Sequence, residues 1–515
     1  MADPILGTLG SESLIGTDAA ELIAGDGESL VEGQQGGDDG IAALGGDDTV
    51  YGDAATLTGA NGGGDTVLGG EGDDRLSGDA DQLSRIFPPD RPQVLAFGGR
   101  DLVEGGAGND TLWGDAMQQG PVSGGFASDT LRGGDGDDVI HGDFQAGTGT
   151  HPVVGDLIEG GAGKDTLYGD SELSFFTIPP GGIAVPAPGT VDTVFGGDGK
   201  DVIYGDARTH LELAPGGSGS PEDVNDIATA DELHGGAGDD LVVGDYLRNG
   251  FNTDGDDTIA GDDGDDTLYG DGVDHQVARM GNDSIEGGAG NDLIWGDSET
   301  ALSAFGNTQL RSPVFGIAGA DLLLGGAGDD TIRGDATALS PEPIGFLRFR
   351  ETFLTGAADT LEGGTGNDRL GGGLGADRFV FRPGDGLDWV EDFAPGEDSL
   401  RFEGVDPAGI TATPRSRDGQ AGIELTYGSG GDTVFLAGVA ALGPDDLVAV
   451  PPQPPPPMVV DWDALAADVL ANFAATGRWF ATPSAPDPGP APPVDWNALA
   501  AQVTANYLAT GQWFA

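Results

Sequence analysis

Gly105 to Trp113 reads GGAGNDTLW, and the same nine-residue pattern returns as GGAGKDTLY from Gly160 to Tyr168 and as GGAGNDLIW from Gly287 to Trp295. The shared form is Gly-Gly-x-Gly-x-Asp-x-(Leu/Ile/Val)-x. A looser copy lies nine residues upstream of each, so the aspartates come in pairs: Asp65/Asp74, Asp101/Asp110, Asp129/Asp138, Asp156/Asp165, Asp192/Asp201, Asp231/Asp240, Asp257/Asp266, Asp283/Asp292 and Asp321/Asp330, then the triplet Asp359/Asp368/Asp377. Asp39 and Asp48 fit a first coil. Each residue type has a physical role. The glycines admit a tight turn with positive φ. The aspartate is a hard oxygen ligand. The apolar residue starts a short strand and points inward.

The charge balance points the same way. Asp plus Glu number 88 against 21 Lys plus Arg, a formal net charge of -67. Such a chain repels itself and resists collapse unless cations neutralise it. Metal binding and folding are therefore expected to be one event. Phosphate would be repelled as well, which argues against nucleic acid as a partner. With 37% apolar residues, a thin core built coil by coil remains possible. The absence of cysteine excludes disulfides, thiolate metal sites and cysteine nucleophiles. No apolar run reaches the roughly 20 residues of a membrane span. The first residues, MADPILGTLGSESLIG, lack a basic region and a long apolar stretch, so no standard signal peptide is expected there.

These residues resemble the RTX (repeats-in-toxin) nonapeptide, a calcium-binding repeat of parallel β-helical proteins. The resemblance covers roughly residues 36–380. It implies an all-β fold, a parallel β-roll (β-solenoid) whose coils each hold two short strands and two turns. Calcium would sit between successive turns, held by aspartates and turn carbonyls. It also implies export through a type I secretion apparatus, which would leave the protein secreted, and in one reading associated with a cell surface. The ligands bet on first are the aspartates of the clean turns: Asp74, Asp110, Asp138, Asp165, Asp201, Asp240, Asp266, Asp292, Asp330 and Asp368, with Asp377 ending the row. Asp48 and the upstream partners Asp65, Asp101, Asp129, Asp156, Asp192, Asp231, Asp257, Asp283, Asp321 and Asp359 complete the metal set.

The chain divides by composition. Residues 1–35 read as degenerate repeats forming an N-terminal cap, and 36–380 as the repeat array. Residues 381–450 alternate apolar and polar positions as half-buried strands do, and resemble the β-rich cap that closes such arrays. A Pro-rich linker at 451–458 leads to VDWDALAADVLANFAATGRWFA within 459–481. A second Pro-rich linker at 482–493 leads to VDWNALAAQVTANYLATGQWFA at 494–515. Each copy reads as an amphipathic helix with Asp461 or Asp495 as N-cap. Isolated helices of this length are marginal, so the apolar stripe needs a partner. Docking to another molecule, packing within the chain and an export signal all fit.

Within the array every insertion follows a Gly-Asp pair, at Asp79, Asp115, Asp143, Asp170, Asp206, Asp245, Asp271, Asp297 and Asp335. The clean turns should thus stack on one edge and the insertions leave from the other. The Gly-Asp carboxylates are either ligands or turn formers. The insertions carry apolar residues such as Phe87, Phe175, Phe305 and Phe346, which would form a second layer or a partner-binding surface. Before each Gly-Asp pair stands an outward residue, including Trp113, His141, Tyr168, Tyr204, Tyr269 and Trp295. Stacked at roughly 4.8 Å, these would form a covered ladder or bind sugar rings.

No HExxH, GxSxG or P-loop motif occurs, and the five histidines show no ligand spacing, so no enzyme activity is expected. Two readings follow. One is a secreted, calcium-dependent structural or adhesive protein that self-assembles or attaches to a surface. The other is a monomeric module that recognises cell-surface glycan. A calcium-dependent hydrolase is a third, weaker class.

Overall fold

The computed structural model describes residues 3–84, 97–122, 127–149, 155–177, 191–213, 226–227, 230–248, 251–274, 277–298, 314–335, 352–428 and 430–451. One coil shows how the repeat sequence becomes structure. Strand Leu102–Ala107 enters the turn at residues 108–110, a second strand runs Thr111–Trp113, and a third runs Ala116–Val122. Gly106 and Gly108 make the first corner with φ of +117° and +135°. A Cβ on Gly108 would also lie 1.8 Å from the Gly72 carbonyl oxygen of the coil below, so glycine meets both a conformational and a steric demand.

Successive coils stack in register. Val103 pairs with Val67 and Leu131, and Leu112 pairs with Leu76 and Ile140, all in parallel. The six-residue strands form a first wall, a 15-stranded parallel sheet. The three-residue strands form a second wall of 17 strands, which turns antiparallel only at its C-terminal end. Between these walls lies a core one side chain deep from each side. Val103 and Leu112, Leu131 and Ile140, Ile158 and Leu167 are all fully buried, and the same pairing repeats coil after coil. Because each coil rests only on its neighbours, damage to one pair is local but full-sized. Leu112→Ala is expected to cost about 2–5 kcal/mol, read as a lower urea midpoint in saturating calcium.

The two-strand coil that the resemblance implied is present as the first two walls, and the insertions add to it. The segments after the Gly-Asp pairs do not simply loop away. They begin as a third wall, a nine-stranded parallel sheet from Gly27–Val31 to Gly272–Asp274. Ala80 pairs with Ala116, Ala116 with Phe144, and Phe144 with Ser171, so insertions of different length start in one register. The physical reason is that a strand leaving a stacked turn finds its neighbour's unpaired N–H and C=O groups already at pairing distance. Leu30, Leu57, Leu83 and Phe144 bury themselves on this wall as a second small core. A further five-stranded parallel sheet runs from Asp226–Ile227 to Thr352–Thr355, on the returning part of the later insertions. Phe87, Phe305 and Phe346 lie outside the described residues, as do the two helical repeats at 459–481 and 494–515.

The N-terminal residues are coils of the same solenoid. Ile5–Leu6 pairs with Leu22–Ala24, Ser13–Ile15 with Gly40–Gly45, and Gly27–Val31 with Ala54–Thr58. Past residue 380 the parallel stack continues through Ser399–Glu403 and Leu447–Val450, while Thr411–Arg417, Gln420–Tyr427 and Asp432–Ala437 form an antiparallel meander. Here the thin aliphatic core gives way to aromatics. Phe381, Phe402 and Tyr427 are buried, and Tyr427 meets Phe402 edge-on at 4.9 Å.

Candidate calcium centre

The aspartates form two continuous rows, one along each edge of the first and second walls. On the glycine edge stand Asp48, Asp74, Asp110, Asp138, Asp165, Asp201, Asp240, Asp266, Asp292, Asp330 and Asp368, all buried. Each uses one carboxylate oxygen to bind the coil before it. The Asp74 N–H donates to Asp110 Oδ1 at 2.7 Å, and the Asp110 N–H to Asp138 Oδ1 at 2.7 Å. The same bond repeats to the Asp330 N–H on Asp368 Oδ1 at 2.9 Å. On the inserted edge Asp65, Asp101, Asp129, Asp156, Asp192, Asp231, Asp257, Asp283, Asp321, Asp359 and Asp377 form the second row by the same rule. Asp39 heads that row, its N–H donating to Asp65 Oδ1 at 2.7 Å.

The other oxygen of these carboxylates carries the chemical message. Among the described residues, Oδ2 of Asp74, Asp110, Asp138 and Asp165 is buried without a hydrogen-bond partner, and so is Oδ2 of Asp65, Asp101, Asp129 and Asp192. An orphaned buried carboxylate oxygen costs several kcal/mol unless a cation meets it. These oxygens also converge with backbone carbonyls. A Cβ on Gly69 would lie 2.4 Å from Asp74 Oδ2 and 2.5 Å from the Gly105 carbonyl oxygen. On the inserted edge a Cβ on Gly78 would lie 2.1 Å from both Asp101 Oδ2 and the Gly114 carbonyl oxygen. Oxygen-only donors of mixed charge, drawn from adjacent coils and cradled by a missing side chain, suit a hard cation that accepts irregular coordination; calcium is such an ion.

Electrostatics agree. Burial pushes Asp110 and Asp165 up to about 7, and neighbouring carboxylates add to the shift. Burial takes Asp65 and Asp368 up to about 8, while Asp101, Asp129 and Asp192 rise well above the ordinary carboxylate range. In each case desolvation of the charged form is the largest cause.

Asp377 needs a correction. Read as the end of the clean-turn row, it instead continues the row on the inserted edge, accepting the Asp359 N–H at 3.0 Å. The coil from Asp359 to Asp377 lacks an insertion, so the GGLGAD turn occupies the place where other coils are interrupted. The rows also run further than the consensus. Asp388 accepts the Asp368 N–H, Asp398 accepts the Asp377 N–H, and Glu12 and Glu21 donate their own N–H groups to Asp39 and Asp48. The surviving signal at Asp388 and Asp398 was Asp-x-apolar, in Asp388-Trp389-Val390 and Asp398-Ser399-Leu400.

The Gly-Asp aspartates are not solvated turn residues. Asp53, Asp79, Asp115, Asp143, Asp245, Asp271 and Asp297 are fully buried. Where the insertion returns, the carboxylate fastens its far end: Asp79 accepts the Gly99 N–H at 2.9 Å and Asp297 the Gly319 N–H at 2.8 Å.

Of the two readings of the outward column on the second wall, the structure bears out the covered ladder. Trp113 stacks on His141 at 5.8 Å, His141 on Tyr168 at 4.8 Å and Tyr168 on Tyr204 at 5.3 Å, with planes within 9°. Trp113 is 1% exposed and Trp295 only 7%, and Val273 of the third wall packs against the stretch of the column from Tyr168 to Trp295. These rings have no face to offer a sugar. Burial also pushes His141 down to about 3, leaving its imidazole neutral within the stack.

Comparison with known proteins matches this geometry to one repeat. The RTX calcium-binding nonapeptide repeat (4 copies) matches residues 59–82, 95–116, 122–148, 155–172, 190–207, 228–245, 251–274, 279–299, 315–338 and 354–387. No curated protein sequence matches the chain. Among solved structures it is similar to the extracellular lipase LipA from Serratia marcescens, at 20% identity and a TM-score of 0.16, over 44% of this chain and 40% of the lipase. The chain thus spans well under half of that lipase. RTX-repeat proteins are typically secreted, and no described helix is long and apolar enough to cross a membrane. Ten matched segments, with two unbroken rows of buried carboxylates, make this chain a protein of RTX calcium-binding nonapeptide repeats.

Proposed function

We propose that the chain is a secreted structural or adhesive protein whose solenoid folds on meeting extracellular calcium and then serves as a rigid spacer for contacts with its neighbours. The observation that carries this reading is the double row of buried, half-satisfied carboxylates. Where free calcium is scarce, as in cytosol, sites of extracellular affinity stay empty and the acidic chain stays open. An open chain is what a narrow export channel of the type I class requires, and calcium outside then drives folding in one direction.

The assembly part of the proposal rests on the chain's C-terminal duplication. Two near-identical amphipathic segments, separated by a Pro-rich spacer, suit bivalent docking, in which the second contact benefits from a high effective concentration. The insertions add further surface, while the glycan reading has lost its aromatic column. No catalytic role is proposed, since the sequence offers no recognisable nucleophile, base or phosphate-binding loop.

Full-length protein in millimolar-range calcium, the order that extracellular modules need, is expected to form large species in light scattering. A variant lacking residues 459–515 is expected to stay monomeric with an unchanged circular dichroism spectrum. Monomeric full-length protein under those conditions, or undiminished assembly after the deletion, would refute the assembly reading while leaving calcium binding intact.

A further inference from the structure

We propose that Asp245, Asp254 and Asp271 form a divalent-cation site of their own, beside the row of inserted-edge aspartates and richer in charge than a single turn. The proposal extends the calcium reading above and rests on it.

The Gly-Asp aspartates stack coil upon coil, and in the early coils the residue three positions before the inserted-edge aspartate faces the gap between two of them. Gly98 shows the direction. A Cβ built there would meet Asp115 Oδ1 at 1.4 Å and Asp79 Oδ2 at 2.6 Å. Gly62 points likewise at Asp79 Oδ1 and Asp53 Oδ2, at 1.7 Å and 2.5 Å. Gly36 repeats the arrangement with Asp53 and Asp26. These positions are glycine because two carboxylates already fill the space.

In the coil that begins at Asp245 the equivalent residue is Asp254. Its side chain enters the gap between Asp245 of its own coil and Asp271 of the next. Carboxylate oxygens of the three residues lie within 4.8 Å of one another, and all three residues are buried. Asp245 accepts the Gly255 N–H on both oxygens, at 3.2 Å and 3.1 Å. Asp271 accepts the Gly281 N–H on Oδ1 at 2.8 Å, but its Oδ2 is buried and accepts nothing among the described residues. Asp271 is 0% exposed, so water offers no relief. Asp257, three residues after Asp254 in the same turn, adds another buried carboxylate with an orphaned Oδ2.

Adding a third carboxylate to a buried pair is strongly unfavourable unless a cation holds all three together. The glycine-edge turns supply one new carboxylate per interval, and calcium affinity rises with the number of charged ligands. This site is therefore expected to fill first and to anchor the middle of the array, where folding of a one-dimensional stack can start and spread both ways.

The test counts calcium bound to the full chain by equilibrium dialysis over a range of free calcium. Asp254→Gly installs the residue found at the equivalent positions 36, 62 and 98, where the solenoid closes over glycine. It is expected to lose one ion from the tightest class while the rest of the isotherm is unchanged. Asp254→Asn keeps an oxygen but not the charge, and is expected to weaken that one ion by about tenfold or more. Isotherms of both variants that superimpose on the unaltered chain would overturn this site alone. Failure of the unaltered chain to bind calcium at all would instead overturn the calcium reading of the whole array.

Discussion

In excess chelator at neutral pH the full chain is expected to lose most of its β signal in circular dichroism and to sediment as an expanded coil; restoring calcium should return both. The magnitude follows from the rows. Neighbouring carboxylates in a stacked solenoid stand one strand spacing apart, roughly 4.8 Å. At an effective dielectric of about 20, two ionised groups at that distance repel by about 3 kcal/mol. Domain stability is only about 5–15 kcal/mol. A handful of ionised adjacent pairs therefore exceeds what the fold can bear, and each edge carries eleven predicted aspartates in sequence from Asp48 to Asp368 and from Asp65 to Asp377. The hydrophobic contribution cannot compensate, since each coil adds about two fully buried aliphatic side chains, such as Val103 and Leu112. A chain that keeps its spectrum and its sedimentation coefficient in chelator would refute calcium-coupled folding.

The second large effect is an inverted response to acid. Without calcium, the folded array holds its aspartates protonated well above the ordinary value of 3.8: Asp138 and Asp201 are pushed up to about 6, Asp110 and Asp330 to about 7, Asp359 and Asp368 to about 8. Burial is the first cause in each case. The folded state then binds more protons than the unfolded one, so stability falls as pH rises. That contribution is complete below about pH 4, the unfolded value, and disappears as pH climbs through about 6 to 8. In chelator, acidification from pH about 8 to about 4 is therefore expected to restore compact β structure. With calcium present the same protons compete with the ion, so calcium affinity should fall as pH drops. Circular dichroism against pH, with and without calcium, reads both slopes. Acid that further unfolds the calcium-depleted chain would contradict the burial of these carboxylates.

Much of this was legible because the nonapeptide carries local instructions. Gly106 and Gly108 need positive φ, Asp110 needs a donor and a cation, and Leu112 needs a core; any one copy states all three. The edge on which insertions occur was legible from the constant place of the Gly-Asp pairs. Asp377 was misplaced because its motif is identical on either edge, and only the length of the preceding coil decides which edge it reaches. Asp388 and Asp398 escaped because the glycines that marked the others are thinned or gone, while the backbone N–H groups waiting in the coil below still capture them.

The third wall lay beyond the sequence for a different reason. Residues 80–84, 116–122 and 144–149 share no motif, and what aligns them is the pairing surface that the preceding coil presents. The stacked coils also settled the fate of the aromatic column. Trp113, His141 and Tyr168 stand outward by strand alternation, as their positions required, yet they are stacked and buried. What the order of residues determined by itself was the glycine turns, the inward side chains of the first two walls and most of the calcium-ready oxygens, because those depend on contacts at fixed spacing along the repeat. What only the stacked coils decided was which carboxylates share a gap, as Asp245, Asp254 and Asp271 do, because proximity across coils depends on insertion length and register rather than on any one repeat.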